Sequence, residues 1–124
     1  MKLNLKIFLL LLIGLFSLQS SISYADEMPE TVQLSLVITA SDKINLTTVS
    51  QVEKGMNAYE AIKALVVVGV KDTSYGPQIM SLGGFEAVGN TYWALYVNGA
   101  MSMVGAHDVV LLEDTFIRLN MEDF

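Results

Sequence analysis

The sequence predicts an α+β fold, a mixed sheet of about five strands with one helix packed across one face. Three observations carry this. Val32 to Ala40 alternates apolar and polar residues with the period of two that marks a half-buried strand. At Gly55 the period lengthens, and Asn57 with Glu60 three residues on is a capping arrangement that opens a helix. From Thr91, two apolar runs flank Asn98-Gly99, a pair that tolerates the positive φ angles of a type I′ hairpin turn.

The N-terminus reads as an address. Lys2 and Lys6 give a positive start, Ile7 to Leu18 an apolar run, and Ser23-Tyr24-Ala25 the small residues a signal peptidase reads. Residues 1–25 are expected to be a signal peptide, and the product to be exported, either periplasmic or secreted. A membrane anchor is the competing reading, but a spanning helix needs roughly 20 apolar residues. This run is shorter and broken by Gly14, so no stable membrane insertion is expected after cleavage.

About 100 of the 124 residues then remain, enough for one small domain with a single layered core. Lys2 and Lys6 leave with the signal and no acid does, which takes the net charge from −6 to −8. Nucleic acid and anionic lipid both need a positive patch, so neither is expected as a partner. The absence of Cys excludes disulfides, thiolate metal sites and thiol catalysis together. Asn45-Leu46-Thr47 fits a glycosylation pattern, with an unmodified strand residue as the equal alternative.

Residues 26–31 read as a flexible polar leader to a domain over 32–124. In the first strand Val32, Leu34, Leu36 and Ile38 share one face. Ser41-Asp42-Lys43 is a turn, and Ile44 to Val52, rich in Thr and Val, pairs back as a second strand. The helix is expected from Ala58 to about Val68, ending near Gly69, although Val66-Val67-Val68 is a poor helix former and could begin a strand instead. Lys71 to Ser74 reads as a polar connection, Gln78 to Leu82 as a short extended piece closed by Gly83-Gly84, and Phe85 to Asn90 as a loop. The hairpin follows, with strands Thr91 to Val97 and Ala100 to Val104. Its register sets Tyr96 opposite Met101, so Tyr92, Ala94, Tyr96, Met101 and Met103 share one face and Trp93, Leu95 and Val97 the other. Asp108 to Leu112 and Phe116 to Met121 complete the strands. A β-grasp layout accommodates this order best, and that architecture hosts many functions.

The chemistry on offer is sparse. His107 is the only His, beside Asp108, with no Ser in a nucleophile-elbow context, and reads as a solvated loop residue. Glu113-Asp114 and Glu122-Asp123 lack the spacing of a calcium loop. No enzyme, no metal site and no required cofactor are expected. The face formed by Tyr92, Tyr96, Met101 and Met103 combines adaptable thioethers with polar-tipped rings, as binding surfaces do. It is equally readable as the ordinary second face of a small sheet.

Three ordered stretches carry a resemblance: Gly55-Met56-Asn57-Ala58-Tyr59-Glu60-Ala61-Ile62-Lys63-Ala64-Leu65, then Tyr75-Gly76-Pro77 through Gly83-Gly84-Phe85, and Tyr92-Trp93 through Asn98-Gly99 with Val104-Gly105-Ala106. Together they resemble the transcobalamin-like C-terminal domain, a soluble ligand-binding β-grasp type catalogued as DUF4430. The resemblance implies an exported module in which such a domain covers one side of a corrinoid, cobalamin or a relative, while a separate helical barrel holds the other. It carries ligand contacts onto Gly76, Pro77, Gln78, Trp93, Gly105 and Ala106. Gln78 replaces the usual aromatic, Glu113-Asp114-Thr115 replaces a Gly-Asp, and the barrel has no counterpart in this sequence. The expected function is therefore an exported small-ligand-binding module contributing half of a site for a bulky small molecule, completed by an envelope protein or a second copy. The alternative is an envelope protein–protein interaction module with no small-molecule ligand. On the residues alone Trp93, Leu95 and Val97 read as core against the helix, and the functional surface as Tyr92, Tyr96, Met101 and Met103 with the loop rims.

Overall fold

The computed structural model describes residues 29–124, and the expected signal peptide lies outside them. Among the described residues no helix is long and apolar enough to cross a membrane. Strands β1 (Thr31–Ala40), β2 (Ile44–Glu53), β6 (Thr91–Val97), β7 (Ala100–Met101) and β8 (Thr115–Asp123) form one mixed sheet in the order β2-β1-β8-β6-β7. Only the β1–β8 pair is parallel; β1–β2, β6–β7 and β6–β8 are antiparallel.

The alternation in β1 does what its period dictates. Leu34, Leu36 and Ile38 are fully buried and stand level with Thr115, Ile117 and Leu119 of β8. Leu119 in turn faces Leu95 of β6, and Met121 faces Trp93. One apolar face thus runs across the three central strands, and helix α1 (Ala58–Leu65) covers it with Ala58, Ala61 and Ile62. The Asn57 side chain accepts from the Glu60 N–H at 2.8 Å, satisfying one of the free donors of the first turn.

The helix is shorter than expected. Val66 already has extended backbone, and Val68 opens a strand. The β-branched run loses side-chain freedom in a helix and fits a pleated ladder, so it leaves the helix at the first opportunity. The polar stretch expected as a connection is in fact strand β3 (Val68–Thr73), paired antiparallel with β4 (Gly76–Leu82). With β5 (Phe85–Glu86), which turns back through Gly83 and Gly84, they form a separate three-stranded sheet beside the large one.

The hairpin turns as the sequence predicts. Asn98 (φ 51°) and Gly99 (φ 88°) both lie in the left-handed region, and Tyr96 pairs with Met101. Its second strand stops at Met101 rather than Val104, because the Ser102 hydroxyl donates to the Val104 carbonyl at 2.8 Å and accepts the Val104 N–H, bending the chain away. The strand expected from Asp108 is instead a 3-10 turn, Ala106–Asp108, followed by irregular chain with one isolated bridge from Val110 to Asn57.

Candidate functional site

Two of the expected contact loops meet the Trp93 face of β6. A cavity of about 220 Å³ lies between β4, β6 and the chain returning from the hairpin. Pro77, Gln78, Tyr92, Trp93, Gly105 and Ala106 border it, so six of the ten expected site residues come together. Ile79, Leu95, Ser102, Val104 and Leu119 complete the lining. These five carry no motif; Leu95 and Leu119 read as plain core, and only the tertiary approach of the two sheets gives them a common wall. Gly76 lies on an adjoining hollow with Tyr75 and His107. A larger and more open hollow, of about 550 Å³, is lined by Ala40, Ser41, Lys43, Thr91 and Met121 to Asp123 and shares none of the expected site residues.

Most of the lining side chains are apolar, but Gln78, Ser102 and main-chain groups make the cavity surface nearly as polar as apolar. Trp93 is only 7% exposed, and its indole N–H has no hydrogen-bond partner. Its main chain adds two more polar groups. Phe124 N–H donates to the Asn90 carbonyl and Asn98 N–H to that of Phe116, which fixes the even-numbered residues of β6 as those bonded to β8. Odd-numbered residues therefore turn their N–H and C=O to the cavity side. Leu95 C=O accepts from Ser102 N–H at 2.9 Å. Among the described residues no strand pairs with Trp93 on that side, so its N–H and C=O edge the cavity without a ladder partner.

The two loops are held apart by His107. Its imidazole is wedged so tightly between them that a Cβ at Gly76 would stand 2.3 Å from Nε2, and one at Gly105 2.9 Å from Cε1. Gly76 also has φ 109°, which L side chains rarely adopt. The solvated loop histidine expected from sequence is instead a partly buried spacer. Nδ1 is buried without a partner, and Nε2 is 3.3 Å from the Asp108 carboxylate. The 3-10 turn brings these neighbours together where a strand would have sent them to opposite faces.

Tyr96 and Met101 lie on the sheet face opposite the helix, apart from the cavity. Met103, displaced from that face by the Ser102 bend, is 93% exposed in the return loop. The face is knitted by a polar chain across three strands. Thr39 donates to Asn120 at 2.7 Å, and the Asn120 amide donates to Glu122 at 3.0 Å. The Tyr96 hydroxyl donates to the same Glu122 oxygen at 2.6 Å, and Arg118 lies 5.8 Å from the Tyr96 ring centre. These donors, Tyr96 before Asn120, hold the Glu122 carboxyl below its ordinary range, and the bond to Glu122 pushes the Tyr96 phenol up. The polar tip that made Tyr96 attractive as a contact is thus committed within the sheet. Tyr92, whose ring lies 5.8 Å from that of Phe124, borders the cavity from the adjacent strand position. Among the described residues no group of three His, Asp or Glu converges as metal ligands.

A small α+β domain with a cavity between its two sheets is the class these features define. The chain belongs to the family described as Domain of unknown function (DUF4430), whose model matches residues 55–122, more than half of the chain. Among solved structures it is similar to haptocorrin in complex with Cbi, with a TM-score of 0.68 and 16% identity over 78% of this chain. The matched part is 26% of the haptocorrin chain, so this protein corresponds to about a quarter of that one. It is also similar to a protein from Ruminococcus gnavus ATCC 29149 described as a candidate metal binder, with a TM-score of 0.66 and 12% identity over 75% of this chain and 98% of that one. At these identities the likeness is one of fold. No curated protein matches the sequence.

Proposed function

We propose that this chain is an exported, non-enzymatic binding module that supplies one side of a site for a bulky, partly apolar small molecule, with a corrinoid as the leading ligand class. The observation that carries the reading is the cavity that gathers Pro77, Gln78, Trp93, Gly105 and Ala106. Its size sets the mode of binding. Pockets that enclose a drug-sized ligand hold roughly 300–1,000 Å³, and about 220 Å³ is below that range. A corrinoid is larger still, so the cavity takes one protruding group while the ring lies across the rim. The unpaired N–H and C=O of Trp93 suit an amide substituent, which donates and accepts at once. Tyr75, 89% exposed on the adjoining hollow, and Met103, between the lining residues Ser102 and Val104, would offer apolar surface for the remainder, and a partner would close the other side.

Affinity of such a half-site is modest, because it follows enclosure and preorganisation. Titration with cobinamide and cobalamin, followed by visible absorption or calorimetry, tests the reading. Saturable binding is expected, and Val104→Trp, which fills the cavity from its half-exposed rim, is expected to weaken it by about tenfold or more without changing the melting temperature much. No heat and no spectral change at high micromolar ligand would defeat the proposal. It would favour the protein–protein reading of the same apolar rim.

A further inference from the structure

Four sheet edges are exposed by this topology, and three are defended in the ways that natural sheets use against unwanted pairing. β5 and β7 are two residues long, and β3 carries a bulge at Gly69/Val70 together with Lys71 and Asp72. β2 has none of these devices. It runs ten residues in unbroken register with β1 and contains no Pro, no Gly, no bulge and no charge before Glu53. Among the described residues nothing pairs with its outer edge.

The backbone fixes which residues that edge presents. Lys54 N–H donates to the Glu30 carbonyl in continuation of the β1–β2 ladder, so the even-numbered residues of β2 are the ones bonded to β1. Asn45, Thr47, Val49, Gln51 and Glu53 turn their N–H and C=O outward, and all five are exposed, Val49 to 57%. An antiparallel partner strand must therefore meet odd residues with odd residues. The charges then select the register. Lys43 stands at one end of the neutral stretch and Glu53 at the other.

We propose that β2 pairs edge to edge with β2 of a second copy, antiparallel about a two-fold axis at Thr48. In that register Val49 meets Thr47 of the other copy, Gln51 meets Asn45, and Glu53 lies opposite Lys43, twice by symmetry. Asp42 comes level with Lys54 in the same way. Two five-stranded sheets become one of ten strands, and no like charges face each other across the seam. The inference does not depend on what occupies the cavity, which lies beyond β6.

Sedimentation equilibrium over a range of concentrations tests it. The protein is expected to dimerise in the micromolar range, whereas a monomer persisting to several hundred micromolar overturns the proposal. Thr47→Pro removes an outward N–H that β1 does not use, a position where an edge strand tolerates Pro. It is expected to leave the monomer folded and abolish the dimer; a dimer that survives it uses another surface and also overturns the proposal. Lys43→Glu and Glu53→Lys each turn two attractive rungs repulsive, which is expected to weaken the dimer about tenfold. The double variant is expected to restore it to within about threefold, and failure of that rescue rejects the register. An extended peptide from another protein that occupies the edge in place of a second copy likewise rejects it.

Discussion

Glu122 accepts from two donors, and the hydrogen bond from Tyr96 is strongest with a charged carboxylate and a protonated phenol together. Because the folded-state carboxyl is depressed, its contribution to stability is present above the unfolded value near 4.3 and is lost as pH falls through the lower folded value. The phenol is raised, so its contribution is present below about 10 and is lost as pH climbs through the higher folded value. Thermal melts of the protein and of Glu122→Gln should differ by a constant amount across neutral pH and begin to draw together once pH falls below about 4; curves that stay parallel to pH 3 would refute the coupling. At Gly76 two costs are separable. Gly76→Ala meets the imidazole and forces a left-handed φ, which alone is worth about 1–3 kcal/mol. Adding His107→Ala should recover the collision part and leave the backbone part, read as the change in urea midpoint. The sequence named both residues but not their contact, since loops 31 residues apart carry no pattern that pairs them.

Elements were legible where local chemistry decides them. Asn98-Gly99 specified both the turn and its register, and the alternation of β1 specified its buried face, because each signal is satisfied by neighbours in sequence. Asn57 likewise announced the helix start. Asn57→Ala should cost about 1 kcal/mol, measurable by chemical denaturation, with Asn57→Ser recovering most of it. The helix end was half legible, since Val66-Val67-Val68 reads as helix with a strand start as its alternative and does lead into a strand; the rest of β3 and the 3-10 turn were not. Lys71, Asp72 and Thr73 have no apolar alternation because their ladder lies on a small, largely solvent-facing sheet. Conversely, Asp108 to Leu112 has strand-like composition but docks against the helix start through Val109 and Leu111 instead.

At the scale of the molecule, the fold class followed from element order, whereas the division into two sheets did not. The candidate site lies at that division. Pro77 and Gln78 come from the small sheet, Trp93 and Leu119 from the large one, and Gly105-Ala106 from the return between strands. Trp93 shows why the site was only half legible. Its place on the helix face is a matter of strand parity and reads directly from the hairpin. That the same buried ring also borders a cavity depends on how far the small sheet stands from it.

The parallel seam between β1 and β8 has a consequence for how the chain comes to be folded at all. Its first and last strands are neighbours at the middle of the large sheet, some 80 residues apart in sequence, with Thr39 hydrogen bonded to Asn120. Closing so long a loop is slow compared with forming a local hairpin. During synthesis the large sheet therefore has no finished core until β8 has emerged to stand beside β1. Until then the buried face of β1, with Leu34, Leu36 and Ile38, lacks the neighbour that covers its open side.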